Sequence, residues 1–205
     1  MKILVAIPAM DSVPTQFRQA LSMLQSNPED DVSISFVVGS LVYSARNNLA
    51  KTAVDVGADW VFWLDSDMVF PPDTLLRMLK TCKEQDIDFL TGVYFRRVAP
   101  FTPVLFKEMS DDGHEAEEFK EIPKDELFEV RACGFGCVLM KTNVIVDVFS
   151  THMNMFTPIE GSGEDISFCI RARQCGYKVI ADPTIPLGHV GHAVITRQYW
   201  EAIKN

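Results

Sequence analysis

The chain has 205 residues, 47% of them apolar, and a formal net charge of −9. That is enough for one full hydrophobic core, and the negative balance argues against nucleic acid or an anionic membrane surface as the main partner. No apolar stretch reaches the roughly 18–20 residues of a membrane span, and Met1–Pro8 is too short and too β-branched to be a secretory leader.

Ile3–Ile7 predicts a first buried strand. Asp11 or Ser12 would cap a helix from about Pro14 to Gln25, since proline is welcome in a first helical turn. Phe17, Ala20, Leu21 and Leu24 then share one face. Val32–Val38 predicts a second strand. Tyr43–Val56 predicts a helix stopped by Gly57, with Ala45, Leu49, Ala53 and Val56 along its apolar stripe. Trp60–Leu64 is an unbroken apolar run, the pattern of a strand buried on both faces of a parallel sheet. A helix over Asp73–Glu84, opened by prolines, and a strand over Phe89–Phe95 follow.

Beyond this point the elements shorten. Thr102–Phe106 and Leu127–Arg131 predict strands around an acidic segment, and Cys137–Met140 predicts another. Thr142–Phe149 reads as a helix. A further helix opens at Ser162-Gly163-Glu164-Asp165 and ends at Gly176. Its inward face is Phe168, Cys169 and Ala172, with Cys175 near its end, while Arg171 and Arg173 point towards other surfaces. Lys178–Ala181 and Ile185–Leu187 are extended, and Thr196–Ile203 closes the chain as a helix. Alternating strands and helices first, then mixed short strands, predict an α/β fold. A mostly parallel central sheet would carry helices on both faces, with antiparallel strands added in the C-terminal half. A single domain over 1–205 is expected, in halves 1–98 and 99–205.

The negative charge is concentrated. Between Lys107 and Glu126 nine acids face three lysines, two thirds of the whole imbalance. With the turn signal Asp111-Asp112-Gly113, this excursion over 107–126 reads as a solvated hairpin, or else as a lid or acceptor surface. The five cysteines are an odd number with no Cys-x-x-Cys pair, which predicts reduced thiols and a cytoplasmic setting.

Three constellations carry chemistry. Asp65-Ser66-Asp67 follows the buried Trp60–Leu64 run, and open α/β sheets place ligands beyond the carboxyl ends of such strands. Two carboxylates one residue apart are costly unless something cationic lies between them. A divalent metal holding an anionic substrate would satisfy both, and oxygen ligands with open positions favour Mg²⁺ or Mn²⁺ over zinc. Either aspartate could instead cap the next helix. The second is Glu160-Gly161-Ser162-Gly163-Glu164-Asp165, a glycine loop with carboxylates in a first helical turn, where the helix dipole favours negative charge. An ionised carboxylate there could act as a general base on a hydroxyl, or simply cap the helix. The third is Gly188-His189-Val190-Gly191-His192, where an imidazole could ligate a metal and glycines permit close backbone approach. His114, inside the acidic excursion, is incidental.

Taken in order, these residues resemble a glycosyltransferase of the GT-A (Rossmann-like) fold, close to the family 2 group and its small bacterial and phage-associated relatives. The resemblance covers nearly the whole chain. It rests on Ala6-Ile7-Pro8, Ser44-Ala45-Arg46-Asn47, Asp65-Ser66-Asp67, Cys133-Gly134-Phe135-Gly136-Cys137, Gly163-Glu164-Asp165 and Gly188-His189. It implies transfer of a sugar from a nucleotide-diphosphate sugar, a UDP-sugar foremost, to a hydroxyl acceptor (glycan, small molecule or protein) with Mn²⁺ or Mg²⁺, by an inverting displacement foremost, with retention, as in similar small relatives, the open alternative. By position, Pro8, Ala9 and Asp11 would line the nucleotide pocket and Arg46 would approach the base or diphosphate. Asp65 would contact ribose or metal, Asp67 would ligate the metal, and His189, or failing it His192, would complete the protein's share. Asp165 would be the base, with Glu164 binding the acceptor or supporting it. Gly134 and Gly136 would let the backbone pass close to the donor sugar. Arg96 and Arg97 would reach phosphate or acceptor, or lie at the surface.

The chain is short for this family, which makes a separate partner or a homo-oligomer an open expectation. Two rivals stand beside this reading. Asp65-x-Asp67-x-Val69 also resembles the opening motif of haloacid-dehalogenase-like phosphatases, with Asp65 as nucleophile. A sugar-nucleotide-binding module without turnover is the other.

Overall fold

The computed structural model describes residues 1–191 and 194–203. The first half runs β1 (Lys2–Ala9), α1 (Thr15–Ser22), β2 (Asp31–Val38), α2 (Val42–Asp55), β3 (Trp60–Leu64), β4 (Met68–Val69), α3 (Thr74–Gln85) and β5 (Phe89–Gly92). The second half begins with β6 (Leu105–Met109), β7 (Ala116–Glu118), β8 (Phe128–Val130), β9 (Ala132–Cys133) and β10 (Cys137–Lys141). It continues through α4 (Thr142–His152), α5 (Glu164–Gln174), β11 (Val179–Asp182), β12 (Gly188–Val190), β13 (Val194–Ile195) and α6 (Arg197–Ile203).

A seven-stranded sheet in the order β2-β1-β3-β10-β5-β11-β8 forms the centre. β1, β2, β3, β5 and β11 run one way, and β8 and β10 run against them. The fold is therefore mixed α/β with a mostly parallel sheet. β10 comes from the second half yet inserts between β3 and β5, so the halves share one sheet.

Side chains alternate across a strand, and the two faces of β1 and β3 accordingly feed two cores. Leu4, Ala6, Val61 and Trp63 pack with Leu49 and Ala53 of α2, Val144 of α4 and Phe168 of α5. Ile3, Val5, Phe62 and Leu64 pack with Phe17 of α1 and Leu75 and Met78 of α3. The first core is unusually aromatic. Trp63, Phe89, Phe135, Phe156 and Phe168 meet in edge-to-face and stacked pairs with centroids 4.4–6.1 Å apart. Each such pair adds about 0.5–1.5 kcal/mol beyond its burial, which makes a stiff floor beneath the ends of β3 and β10.

Two small sheets flank the main one, β13-β12-β4 and β7-β6-β9. The first matters for function, because its register sets His189 opposite Met68 and Gly188 opposite Val69. The second builds the acidic hairpin, with Phe106 opposite Glu118 and Met109 opposite Ala116.

Several expectations are corrected. Helix α1 starts at Thr15 behind Pro14 with no side-chain cap, so Asp11 and Ser12 stay outside it. The strand expected over Phe89–Phe95 ends at Gly92, where pairing with β11 stops. A side chain at that glycine would run into Leu187, 2.5 Å away. The chain then leaves the sheet, and Tyr94 and Phe95 pair instead with the 103–104 segment. Helix α5 is buried along Ile166–Ala172, Arg171 included, whose guanidinium donates to the Met155 carbonyl at 2.7 Å. Its periodicity misled because α4 and β9 flank it as well as the core. Pairing near the C-terminus falls on Gly188–Val190 rather than Ile185–Leu187.

Candidate active site

Asp65-Ser66-Asp67 makes the turn between β3 and β4. The Asp65 N–H donates to the Gly136 carbonyl at 3.0 Å, and the Met68 N–H closes the turn on the Asp65 carbonyl at 3.1 Å. Because β4 pairs with β12, the Asp67 carbonyl accepts from the Val190 N–H at 2.8 Å. That registration carries His189 to the aspartate: its Nε2 lies 3.3 Å from Asp67 Oδ2.

The other ring nitrogen of His189, Nδ1, lies 2.8 Å from the Phe95 carbonyl. A carbonyl can only accept, so Nδ1 carries the proton and the neutral ring turns the Nε2 lone pair on the Asp67 carboxylate. Two acceptors facing each other need a cation between them, either a ring proton or a metal ion. Burial works to raise the Asp67 carboxyl, but the hydrogen bond and charge of His189, with Arg97 behind them, outweigh it and hold it below the usual range. Burial likewise works to lower His189, and its contact with Asp67 outweighs this and raises it. Arg97 supplies a second cation, with Nη1 2.6 Å from the same Oδ2.

Asp65 is held by a different arginine. Arg46, in the second turn of α2 and 2% exposed, places Nη2 2.7 Å from Asp65 Oδ1 and Nε 3.1 Å from Glu164 Oε1. Its guanidinium rests 5.2 Å from the Phe135 ring centroid, and its buried Nη1 has no hydrogen-bond partner among the described residues. One buried cation thus joins the β3 end to the first turn of α5.

Asp165 lies beside this bridge, its Oδ1 accepting from the Ile166 N–H at 2.8 Å. Burial first, and then the Glu164 charge, push its carboxyl up from 3.8 to about 6, against the pull of Arg46. A carboxylate titrating near the working pH is suited to exchange a proton with a hydroxyl.

Pro8, Ala9, Arg46, Asp65, Asp67, Glu164, Asp165 and His189 line one cavity of about 310 Å³, together with Ser40, Ser66 and Arg97. Asp11 is exposed and outside it. Gly134 and Gly136 do not line it either. A side chain at either would collide with Tyr94, which approaches to 2.6 Å in the case of Gly136, and Val104 crowds Gly134 as well, so packing against these residues favours glycine there. His192 lies outside the described residues. A larger, mostly apolar groove of about 600 Å³ between α2 and α4 holds no comparable set of acids.

Ser40, in the cavity lining, and Tyr94, beneath it, are residues that the sequence did not mark. The Tyr94 hydroxyl accepts from the Gly136 N–H at 3.1 Å, and its ring meets His189 edge-on at 5.5 Å. An aromatic at a strand end reads as ordinary core, so nothing local marked it.

Asp67 and His189 fit a divalent ion. They present a carboxylate oxygen and an imidazole lone pair 3.3 Å apart, slightly wider than the roughly 3.0 Å between adjacent ligands of an octahedral ion with bonds of about 2.1 Å. Among the described residues no third His, Cys, Asp or Glu completes a cluster with them.

No family model matches the sequence, and no curated protein matches it. Solved structures do. The crystal structure of A197 from STIV matches with a TM-score of 0.72 and 18% identity, over 97% of this chain and 92% of that one. The crystal structure of GalNAc-T7 with UDP, GalNAc and Mn²⁺ matches with a TM-score of 0.60 and 9% identity, over 93% of this chain. This chain covers 43% of the GalNAc-T7 chain, less than half its length. The likeness establishes a GT-A-like fold.

Proposed function

We propose that the chain is a metal-dependent glycosyltransferase that moves a sugar from a nucleotide-diphosphate sugar to a hydroxyl acceptor with inversion. The observation that carries this reading is the convergence of Asp67, His189 and Asp165 on one cavity. Asp67 and His189 would hold Mn²⁺ or Mg²⁺. Such an ion supplies charge neutralisation on a departing diphosphate. Arg46 keeps Asp65 oriented at the donor side and Glu164 at the acceptor side, and Asp165 takes the acceptor proton. Pro8 and Ala9 border the nucleotide, with a UDP-sugar as the leading donor. GalNAc-T7, a structure of the same fold, contains UDP and Mn²⁺, which supports the choice.

The unit would comprise the whole chain and work in the cytoplasm. Five unpaired cysteines fit a reducing compartment, and no described helix is long and apolar enough to cross a membrane. The phosphatase reading finds less support, since Asp65 is engaged by Arg46 and no lysine lines the cavity among the described residues.

Thermal-shift titration with UDP-, GDP- and ADP-sugars, with and without Mn²⁺, tests the reading, because a ligand bound only by the native state raises stability. A metal-dependent rise with one donor is expected, lost in Asp67→Ala. Flat responses to every donor would overturn the proposal. Donor binding without transfer to any of a broad acceptor panel would favour a binding module.

A further inference from the structure

The Arg97 contact sits where the proposed ion would have to bind. Its Nη1 lies 2.6 Å from Asp67 Oδ2, the same oxygen that faces His189 Nε2 at 3.3 Å. An arginine and a divalent ion on the same carboxylate oxygen compete for its charge, and the two cations repel across a few ångströms of partly desolvated space. Ion binding therefore favours moving Arg97 off Asp67.

The local structure makes that movement a side-chain event. The turn after β5 is pinned at its base: the Arg96 N–H donates to the Thr102 carbonyl at 2.9 Å, and the Arg96 guanidinium holds Glu118 at 2.6 Å. A second bond, from the Phe101 N–H to the Val98 carbonyl at 2.9 Å, closes the turn. Arg97 lies on that turn with its side chain 54% exposed, reaching back over the cavity rim. Swinging off Asp67 disturbs no packed group, in contrast to the buried Arg46.

The charge balance gives the displaced guanidinium a destination. Four acids line the cavity against two arginines, Arg46 and Arg97, and Arg46 is committed to Asp65 and Glu164. A diphosphate entering beside an ion brings negative charge within reach of Arg97, and its planar fork matches phosphate oxygens in paired hydrogen bonds.

We propose that Arg97 is an exchangeable counter-ion: it neutralises Asp67 while the site is free of metal, and moves to the diphosphate when ion and nucleotide bind together. This rests on the glycosyltransferase reading above and adds a binding order to it. The ion alone competes with Arg97 and binds weakly, whereas ion and diphosphate reinforce each other.

The test is Mn²⁺ titration followed by the EPR signal of the free ion, alone and with UDP, GDP or ADP, for the wild-type chain, Arg97→Gln and Arg97→Lys. Matching thermal unfolding of the three proteins checks that the exposed substitutions leave the fold intact. Removing a half-exposed ion pair should tighten Mn²⁺ alone by about 2- to 5-fold in Arg97→Gln. The enhancement of Mn²⁺ binding by the effective nucleotide should fall about 10-fold or more, as expected for losing a charge-assisted contact to phosphate. Arg97→Lys should lie between the two. If the wild type binds Mn²⁺ with a nucleotide and Arg97→Gln leaves both quantities unchanged, or weakens Mn²⁺ alone, the exchange is wrong and the functional reading stands. If the wild type binds Mn²⁺ with none of the three nucleotides, the functional reading falls and the exchange with it.

Discussion

Ser162 Oγ donates a 2.9 Å hydrogen bond to the Gly113 carbonyl, fastening the tip of the acidic hairpin to the loop that opens α5. Arg173 braces the same tip through the Met109 carbonyl at 3.4 Å and Asp111 at 3.5 Å. The hairpin is thus docked beside the segment that presents Glu164 and Asp165, despite its net charge. Removing the hydroxyl in Ser162→Ala should cost about 1 kcal/mol. Amide exchange at 110–114 should quicken, with nucleotide affinity unchanged and acceptor KM raised. Unaltered exchange there would mean that other contacts hold the hairpin.

Arg46 is the cation that lets acids crowd this cleft. Its guanidinium spans Asp65 and Glu164 with separate nitrogens while stacked on Phe135. Arg46→Met leaves those carboxylates without their buried partner, a loss of about 3–5 kcal/mol. Arg46→Lys keeps the charge but has no planar fork to reach both acids at once. It should fold with a lower urea midpoint and bind nucleotide more weakly. A lysine variant equal to wild type in both would assign Arg46 a purely electrostatic part.

The sequence made the main sheet legible where periodicity was unambiguous. Trp60–Leu64, with no polar residue, could only be a doubly buried strand, and β1, α2 and α3 followed within a residue or two. The grouping of Asp65, Asp67, Glu164, Asp165 and His189 into one cavity came from motif order and the resemblance, not from any local signal. What escaped notice depends on contacts distant in sequence. β4 has two residues and no pattern, yet its pairing with β12 delivers His189 to Asp67. The Arg46 bridge to Glu164 spans 118 positions. Arg171 reads from periodicity as pointing towards another surface, yet it is buried, because a helix enclosed on several sides keeps no polar stripe.

Gly136 tests whether glycine is needed for the donor or for Tyr94. A Cβ there would sit 2.6 Å from Tyr94 Cζ and 3.0 Å from Met68 Sδ. Tyr94 is buried and its hydroxyl is tied to the Gly136 N–H, so it cannot swing aside freely. Gly136→Ala should destabilise by about 1–3 kcal/mol through overpacking. In the double variant Tyr94→Phe/Gly136→Ala the ring keeps its bulk, so the penalty should persist. Tyr94→Leu with Gly136→Ala should recover part of it. Additive losses would place the constraint elsewhere.

Asp165 should trade stability for activity in a pH-dependent way. Its carboxyl titrates at about 6 in the folded chain against 3.8 when unfolded, so the folded state holds the proton more tightly. Stability contributed by this group is therefore present at pH 4, falls as the pH rises towards 6, and stays lower above it. About two units at roughly 1.4 kcal/mol each bound the penalty at neutral pH near 3 kcal/mol. Asp165→Asn cannot ionise, so it should unfold at a higher temperature than wild type at pH 7.5 and at a similar one at pH 4. On the proposed reading the same ionisation would produce the base, so wild-type transfer should climb through about pH 6 as the carboxylate forms. The Asn variant should lose roughly 10²- to 10⁴-fold in transfer while keeping nucleotide affinity. A variant that is stabilised at pH 7.5 yet transfers normally would leave the half-buried acid in place as a strained group and move the proton acceptor to Glu164.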